Sequence, residues 1–249
     1  MKQLRMMGIG VISVGLAVLL TACQQQPETS RWFPLQDGRS WHYQQTRIWG
    51  DDKRVSRFSV ETRELNEQEA SFFTRHSIDT DHLSVRRTSS GTDYYVAVSP
   101  EGIERVAKKV LIEHLPRLDT TPRLILPDEV DLDTGAAWEV ETQPYILAST
   151  APHIPWIADA NRFAMMYEIV DMDATVETVA GIFKHCIQVQ GQAKISFYAD
   201  PRLGYQDMHL TQTEWYAKDV GLVKLVREEP LDLEMYQGGT LELELIHYQ

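Results

Sequence analysis

The 249-residue chain holds only two cysteines, Cys23 and Cys186. So few exclude a disulfide-dense scaffold and a four-cysteine zinc site. Basic residues are also scarce: 24 Lys+Arg stand against 36 Asp+Glu, a net charge of −12. Nucleic-acid binding needs a basic face that displaces counterions, so that class is excluded as well. The eight histidines form no H-E-x-x-H or H-x-H pair, and the body has neither a G-x-S-x-G elbow nor a glycine-rich phosphate loop. Zinc chemistry, elbow hydrolases and phosphate-loop enzymes therefore lose their sequence support. Hydrophobic residues are not lacking. At 43% of the chain they suffice for one large cored domain and argue against full disorder.

The N-terminus has a recognisable layout. Lys2 and Arg5 precede Met6–Ala22, a stretch of 17 residues without a charge. Such a run is just long enough to cross a bilayer as a helix, so an uncleaved anchor or a simple secretory signal fits its length. It ends, however, in Leu20-Thr21-Ala22-Cys23, with small residues directly before a cysteine. This segment resembles the lipobox of bacterial lipoproteins. The resemblance implies that residues 1–22 are a signal peptide, that Cys23 carries the acyl chains, and that residues 23–30 form a short tether. Gln24 stands where this family uses Asp for inner-membrane retention, which implies an outer-membrane anchor with the body facing the periplasm. Inner-membrane retention and surface exposure stay open. Cleavage would take the net charge from −12 to about −14, too acidic for bulk attraction to an anionic surface. Cys186 would then be the single thiol, read as a buried apolar residue, with an intermolecular bridge or a catalytic thiol as alternatives.

From Arg31 to Gln249 the texture is that of one β-rich domain. Ser40–Ile48, Val55–Leu65, Ala70–Ile78, Leu83–Thr88 and Asp93–Val98 read as strands, punctuated by Gly91 and Pro100-Glu101-Gly102. Ile103–Leu115 reads as a strand followed by a short helix, and Arg117–Pro127, with its two prolines, as a crossing connection. Phe163–Val170, Thr175–Val179, Ile182–Val189, Lys194–Tyr198, Glu214–Ala217 and Leu222–Val226 form a second series. Leu241-Glu242-Leu243-Glu244-Leu245 alternates strictly, one apolar face and one acidic. Gly38-x-x-Trp41 and Gly135-x-x-Trp138 echo each other at two strand starts. The expected architecture is mainly β: a curved antiparallel sheet or open barrel-like body with few short helices.

Three stretches carry a further likeness. They are Phe33-Pro34-Leu35…Gly38…Trp41…Tyr43, Val176–Phe183 with Cys186 and Val189, and Trp215-Tyr216-Ala217…Val220–Lys224. They resemble a broad group of uncharacterised bacterial envelope lipoproteins. The resemblance implies a curved antiparallel β body and brings no catalytic residues with it.

Candidate chemistry is sparse. Asp128, Glu129, Asp131 and Asp133 precede Gly135 in the manner of a cation loop, but Thr134 and Val140 stand where an EF-hand needs glycine and glutamate. A solvated turn explains the cluster, and no metal or other cofactor is expected. The six tryptophans can line an apolar groove or fill the core. The Pro144–Arg162 segment is long, irregular and apolar, the kind of loop that usually serves a function. Tyr145 and Trp156 within it are the candidate contacts for a ligand or partner. The functional expectation is a membrane-anchored, non-catalytic envelope lipoprotein that binds a lipid-like ligand or an envelope protein. The alternatives are an envelope hydrolase without a recognisable motif and a structural accessory subunit.

Overall fold

The computed structural model describes residues 30–149, 162–233 and 236–249. Among them thirteen strands form one antiparallel sheet. The first six are β1 (Ser40–Trp49), β2 (Asp52–Arg63), β3 (Leu83–Thr88), β4 (Asp93–Ser99), β5 (Gly102–Lys109) and β6 (Arg117–Pro127). They are followed by β7 (Ala137–Thr142), the two-residue β8 (Ala148–Ser149) and β9 (Phe163–Thr178). The last four are β10 (Gly181–Asp200), β11 (Gly204–Ala217), β12 (Gly221–Leu233) and β13 (Tyr236–Tyr248). The sheet order is β6-β5-β4-β3-β2-β1-β13-β12-β11-β10-β9-β7, with β8 paired to β13 off this path.

This order is two six-stranded meanders joined where β1 pairs with β13. The two free edges, β6 and β7, curl round until they approach each other without forming a ladder. The result is a barrel closed everywhere except at one seam. Each meander opens with a Gly-x-x-Trp. Gly38 and Gly135 both take positive φ, 77° and 91°, which a side chain would resist. Both indoles are buried, Trp41 in β1 and Trp138 in β7.

The interior is filled by side chains from facing strands. Val96, Ile103 and Leu126 from β4–β6 meet Met165, Tyr167, Ile169, Ile187 and Val189 from β9 and β10, with Phe33 and Leu35 inserted between them. A second cluster holds Trp41, Tyr43, Val176, Cys186 and Leu245. Arg86 is buried among these residues, its guanidinium 4.4 Å from the Phe33 ring centroid and 4.3 Å from that of Trp41. Such stacking offsets part of the cost of desolvating the cation.

Four expectations are corrected. Ala70–Ile78 is not a strand: Glu67–Arg75 is a helix, α1, with Asn66 and Glu69 forming a reciprocal capping box. Its Phe72 and Phe73 pack with Leu83, Val85 and Tyr95 on the outer face of β3–β5. No helix follows β5, since residues 110–116 form a turn. Arg117–Pro127 is strand β6 rather than a crossing connection. Its register jumps from Ala107↔Leu118 to Arg105↔Arg123, so Pro122 falls in an irregularity of an edge strand, where a missing N–H is tolerated. The segments read as separate strands on either side of residues 171–174 and 190–193 fuse into the long β9 and β10. Register shifts between Phe183 and Val189 take up the bend.

Candidate functional site

The irregular segment after β7 is held by a buried ion pair. Arg227 and Glu229 lie on one face of β12, both without solvent exposure. Arg227 Nε donates to Glu229 Oε1 at 2.7 Å, one terminal nitrogen donates to Gln212 Oε1 at 2.8 Å, and the other to the Gln143 carbonyl at 2.9 Å. Glu229 also accepts the backbone N–H groups of Tyr145, Ile146 and Leu147 at 2.8, 2.9 and 2.8 Å. The Trp49 indole donates to the Ile146 carbonyl. Every polar group of the pair is thus used, as burial demands. The outcome is a chain segment that crosses from the end of β7 toward β13, pairs there as β8, and presents Tyr145 at the seam.

There Tyr145 borders a polar cavity of about 130 Å³. Tyr94, Arg105, Lys108, Asp119 and Arg123 come from the β4–β6 side; Glu141, Thr142, Gln143 and Arg162 complete the wall from the β7 side. Four basic and two acidic residues make the lining net positive, in a chain whose total charge is −12. Two of the cations are already engaged. Arg105 grips Asp119 through two bonds of 2.7 and 2.9 Å, and Arg162 meets Glu141 at 2.8 Å. Lys108 and Arg123 make no salt bridge to a carboxylate among the described residues.

The titrations follow this arrangement. Arg123, assisted by Arg227, pulls the Tyr145 phenol down to about 8 against the opposing effect of burial. Burial would depress Arg123, but its interactions with Tyr145 and Tyr167 more than reverse this. Lys108 is lowered by burial and by the neighbouring Arg117 and Arg105. Deeper inside, burial raises Glu214, which accepts hydrogen bonds from the Tyr216 hydroxyl and the Gln212 amide. Burial and Glu214 likewise raise Tyr167.

Among the described residues, two hydroxyls in this region have no hydrogen bond of ordinary geometry. Thr142 Oγ1 lines the cavity and Thr142 is 4% exposed, yet Oγ1 has no partner of ordinary geometry, although the Tyr145 phenol lies nearby. The Tyr167 hydroxyl, facing the charges of Glu214, Arg123, Tyr145 and Arg227, is also unpartnered.

Of the residues singled out from sequence, the structure places Tyr145 at the cavity, 36% exposed. Cys23 and Trp156 lie outside the described residues. Trp32, Trp41 and Trp138 fill the interior, and Cys186 is fully buried with its thiol pushed up to about 11 by burial. The acidic cluster caps backbone groups: Asp128 accepts the Val130 N–H, and Glu129 accepts the Arg31 N–H and the Ser30 hydroxyl. Arg123, Lys108, Thr142, Arg227 and Glu229 were not visible as a group. They come from four strands far apart in sequence.

No family model and no curated protein matches the chain. It is similar to two solved structures. One is a candidate lipoprotein of Parabacteroides distasonis, 13% identical, with 89% of this chain and 100% of that one covered and a TM-score of 0.38. The other is a candidate exported protein with a YmcC-like fold from Bacteroides fragilis, 12% identical, covering 87% and 98%, with a TM-score of 0.37.

Proposed function

We propose that this chain is an envelope lipoprotein, held in the outer membrane by acyl chains on Cys23 and facing the periplasm, whose β body is a binding module. The sequence supports the address through Leu20-Thr21-Ala22-Cys23 and Gln24. The observation that supports binding is the seam. Among the described residues the sheet pairs edge to edge everywhere else, and at its one unpaired junction it gathers a positive cavity whose lining includes the buried Thr142 hydroxyl, which has no hydrogen bond of ordinary geometry. Buried polar groups without partners are rare in folded proteins, and each calls for an explanation. The cavity is polar and small, so it suits the head of a lipid-like ligand or a side chain of an envelope partner, and not an acyl chain.

Two measurements test the proposal. Labelled palmitate should enter the wild-type chain and not Cys23→Ser; equal labelling of both would overturn the address. Native mass spectrometry of the detergent-extracted protein should show a co-purifying envelope component that is lost from Tyr145→Ala. A ligand-free monomer in both samples would sink the binding reading.

A further inference from the structure

The seam cavity specifies the chemistry of what it holds, given the reading of the seam as the binding site. A planar carboxylate is best met by one arginine fork. Two of the three arginines in the lining, Arg105 and Arg162, are spent on Asp119 and Glu141, and the third, Arg123, is turned to the Tyr145 phenol rather than to a carboxylate. What remains are donors arriving from opposite walls: Lys108 on β5 and Arg123 on β6 from one side, Thr142 and Tyr145 from the other, with Arg123 and Thr142 both directed at the Tyr145 phenol. Donors that converge from several directions suit an anion whose acceptor oxygens also point in several directions. A tetrahedral phosphate has this form. The electrostatics agree, since Lys108 stands among Arg105, Arg117 and Arg162, and an incoming anion relieves that crowding of like charge.

We propose that the seam cavity binds the phosphate group of a small phosphomonoester, with Lys108 and Arg123 as its charge partners and Thr142 and Tyr145 as its neutral donors. Lys108 and Arg123 supply the net positive charge, while Arg105 and Arg162, neutralised by their own carboxylates, position the walls. The phosphate belongs either to a soluble ester or to a lipid headgroup, and the chemistry of capture is the same for both.

The test is calorimetric titration of the full chain in detergent with inorganic phosphate, glycerol 3-phosphate and, as a planar control, acetate. The phosphates should bind saturably and acetate about tenfold or more weakly. Lys108→Met and Arg123→Gln should each lose about tenfold in affinity. Thr142→Val, which keeps the volume and removes only the hydroxyl, should lose a few-fold, while Arg47→Gln, an exposed side chain of β1, should lose nothing. Circular dichroism checks that each variant is folded. Competition with a short-chain phosphatidic acid separates the sources: tighter binding than glycerol 3-phosphate assigns a lipid headgroup, and equal or weaker binding assigns a soluble ester. Acetate binding as tightly as phosphate, unchanged affinity in both Lys108→Met and Thr142→Val, or no saturable heat overturns the assignment. If phosphates fail while an envelope component still co-purifies and is lost from Tyr145→Ala, the anion assignment falls and the binding module stands.

Discussion

A Cβ on Gly191 would lie 2.7 Å from Cε1 of Tyr167 and 2.9 Å from Cε of Met165. Trp138, Tyr167 and Gly191 stand in one row across β7, β9 and β10. The two rings stack with centroids 5.8 Å apart and planes 15° apart. Bare backbone on β10 leaves room for the phenol ring whose hydroxyl lies among the buried charges.

Gly191→Ala should therefore destabilise the protein by about 1–3 kcal/mol through overpacking. Urea denaturation reads this as a lower midpoint at unchanged slope. An unchanged midpoint would mean that the Tyr167 ring moves aside freely.

The Arg227–Glu229 pair should behave unlike a simple buried ion pair. Removing one partner, as in Arg227→Met or Glu229→Leu, should cost about 3–5 kcal/mol. Replacing both with apolar residues often restores stability elsewhere. Here it should not, because Glu229 also satisfies the N–H groups of Tyr145, Ile146 and Leu147. A double-mutant cycle in denaturant measures the difference, and full recovery in the double variant would refute this account.

Acid should loosen α1. Burial alone would raise Glu69, but hydrogen bonds from Arg63, Tyr95, the Asn66 backbone and Lys109 outweigh it and hold the carboxyl far below its usual range. Asp93 is lowered too, by Arg87 and Arg63 against the effect of burial. Carboxylates depressed by folding stabilise fully above their unfolded values, near 4, and lose that contribution as pH falls below them. Thermal stability should thus drop steeply below about pH 4. Glu69→Gln should be about 3 kcal/mol less stable at neutral pH and show a flatter acid limb.

Cys186 should be inert. A fully buried thiol pushed up to about 11 is protonated and inaccessible near neutral pH. In a Cys23→Ser chain, iodoacetamide should label nothing in the folded state and one thiol in denaturant, read by mass. Rapid labelling of the folded chain would make Cys186 a surface nucleophile.

The sheet was legible where one face is apolar and the other is not, as in Leu241–Leu245. The Gly-x-x-Trp pair likewise marked the first strand of each meander. α1 was misread because Phe72 and Phe73 are adjacent and break the helical stripe; Asn66-x-x-Glu69 was the signal that identified its start. β6 was misread because Pro122 weighs against a strand unless the strand is known to be an edge. The cavity was only half legible. Tyr145 stood out in an apolar loop, but Lys108, Arg123 and the Arg227–Glu229 pair are charges on three different strands, β5, β6 and β12. Their meeting depends on sheet order, which no local spacing encodes.

The pairing of β1 with β13 bears on when folding can finish. Ser40 and Gln249 exchange backbone hydrogen bonds of 2.9 and 3.0 Å, so the first and last strands complete each other. During synthesis, β1 must wait with one edge bare while the rest of the chain emerges. Contacts so distant in sequence close slowly, and an unpaired edge invites aggregation in the meantime. The body therefore passes through a vulnerable interval that ends only with the arrival of β13.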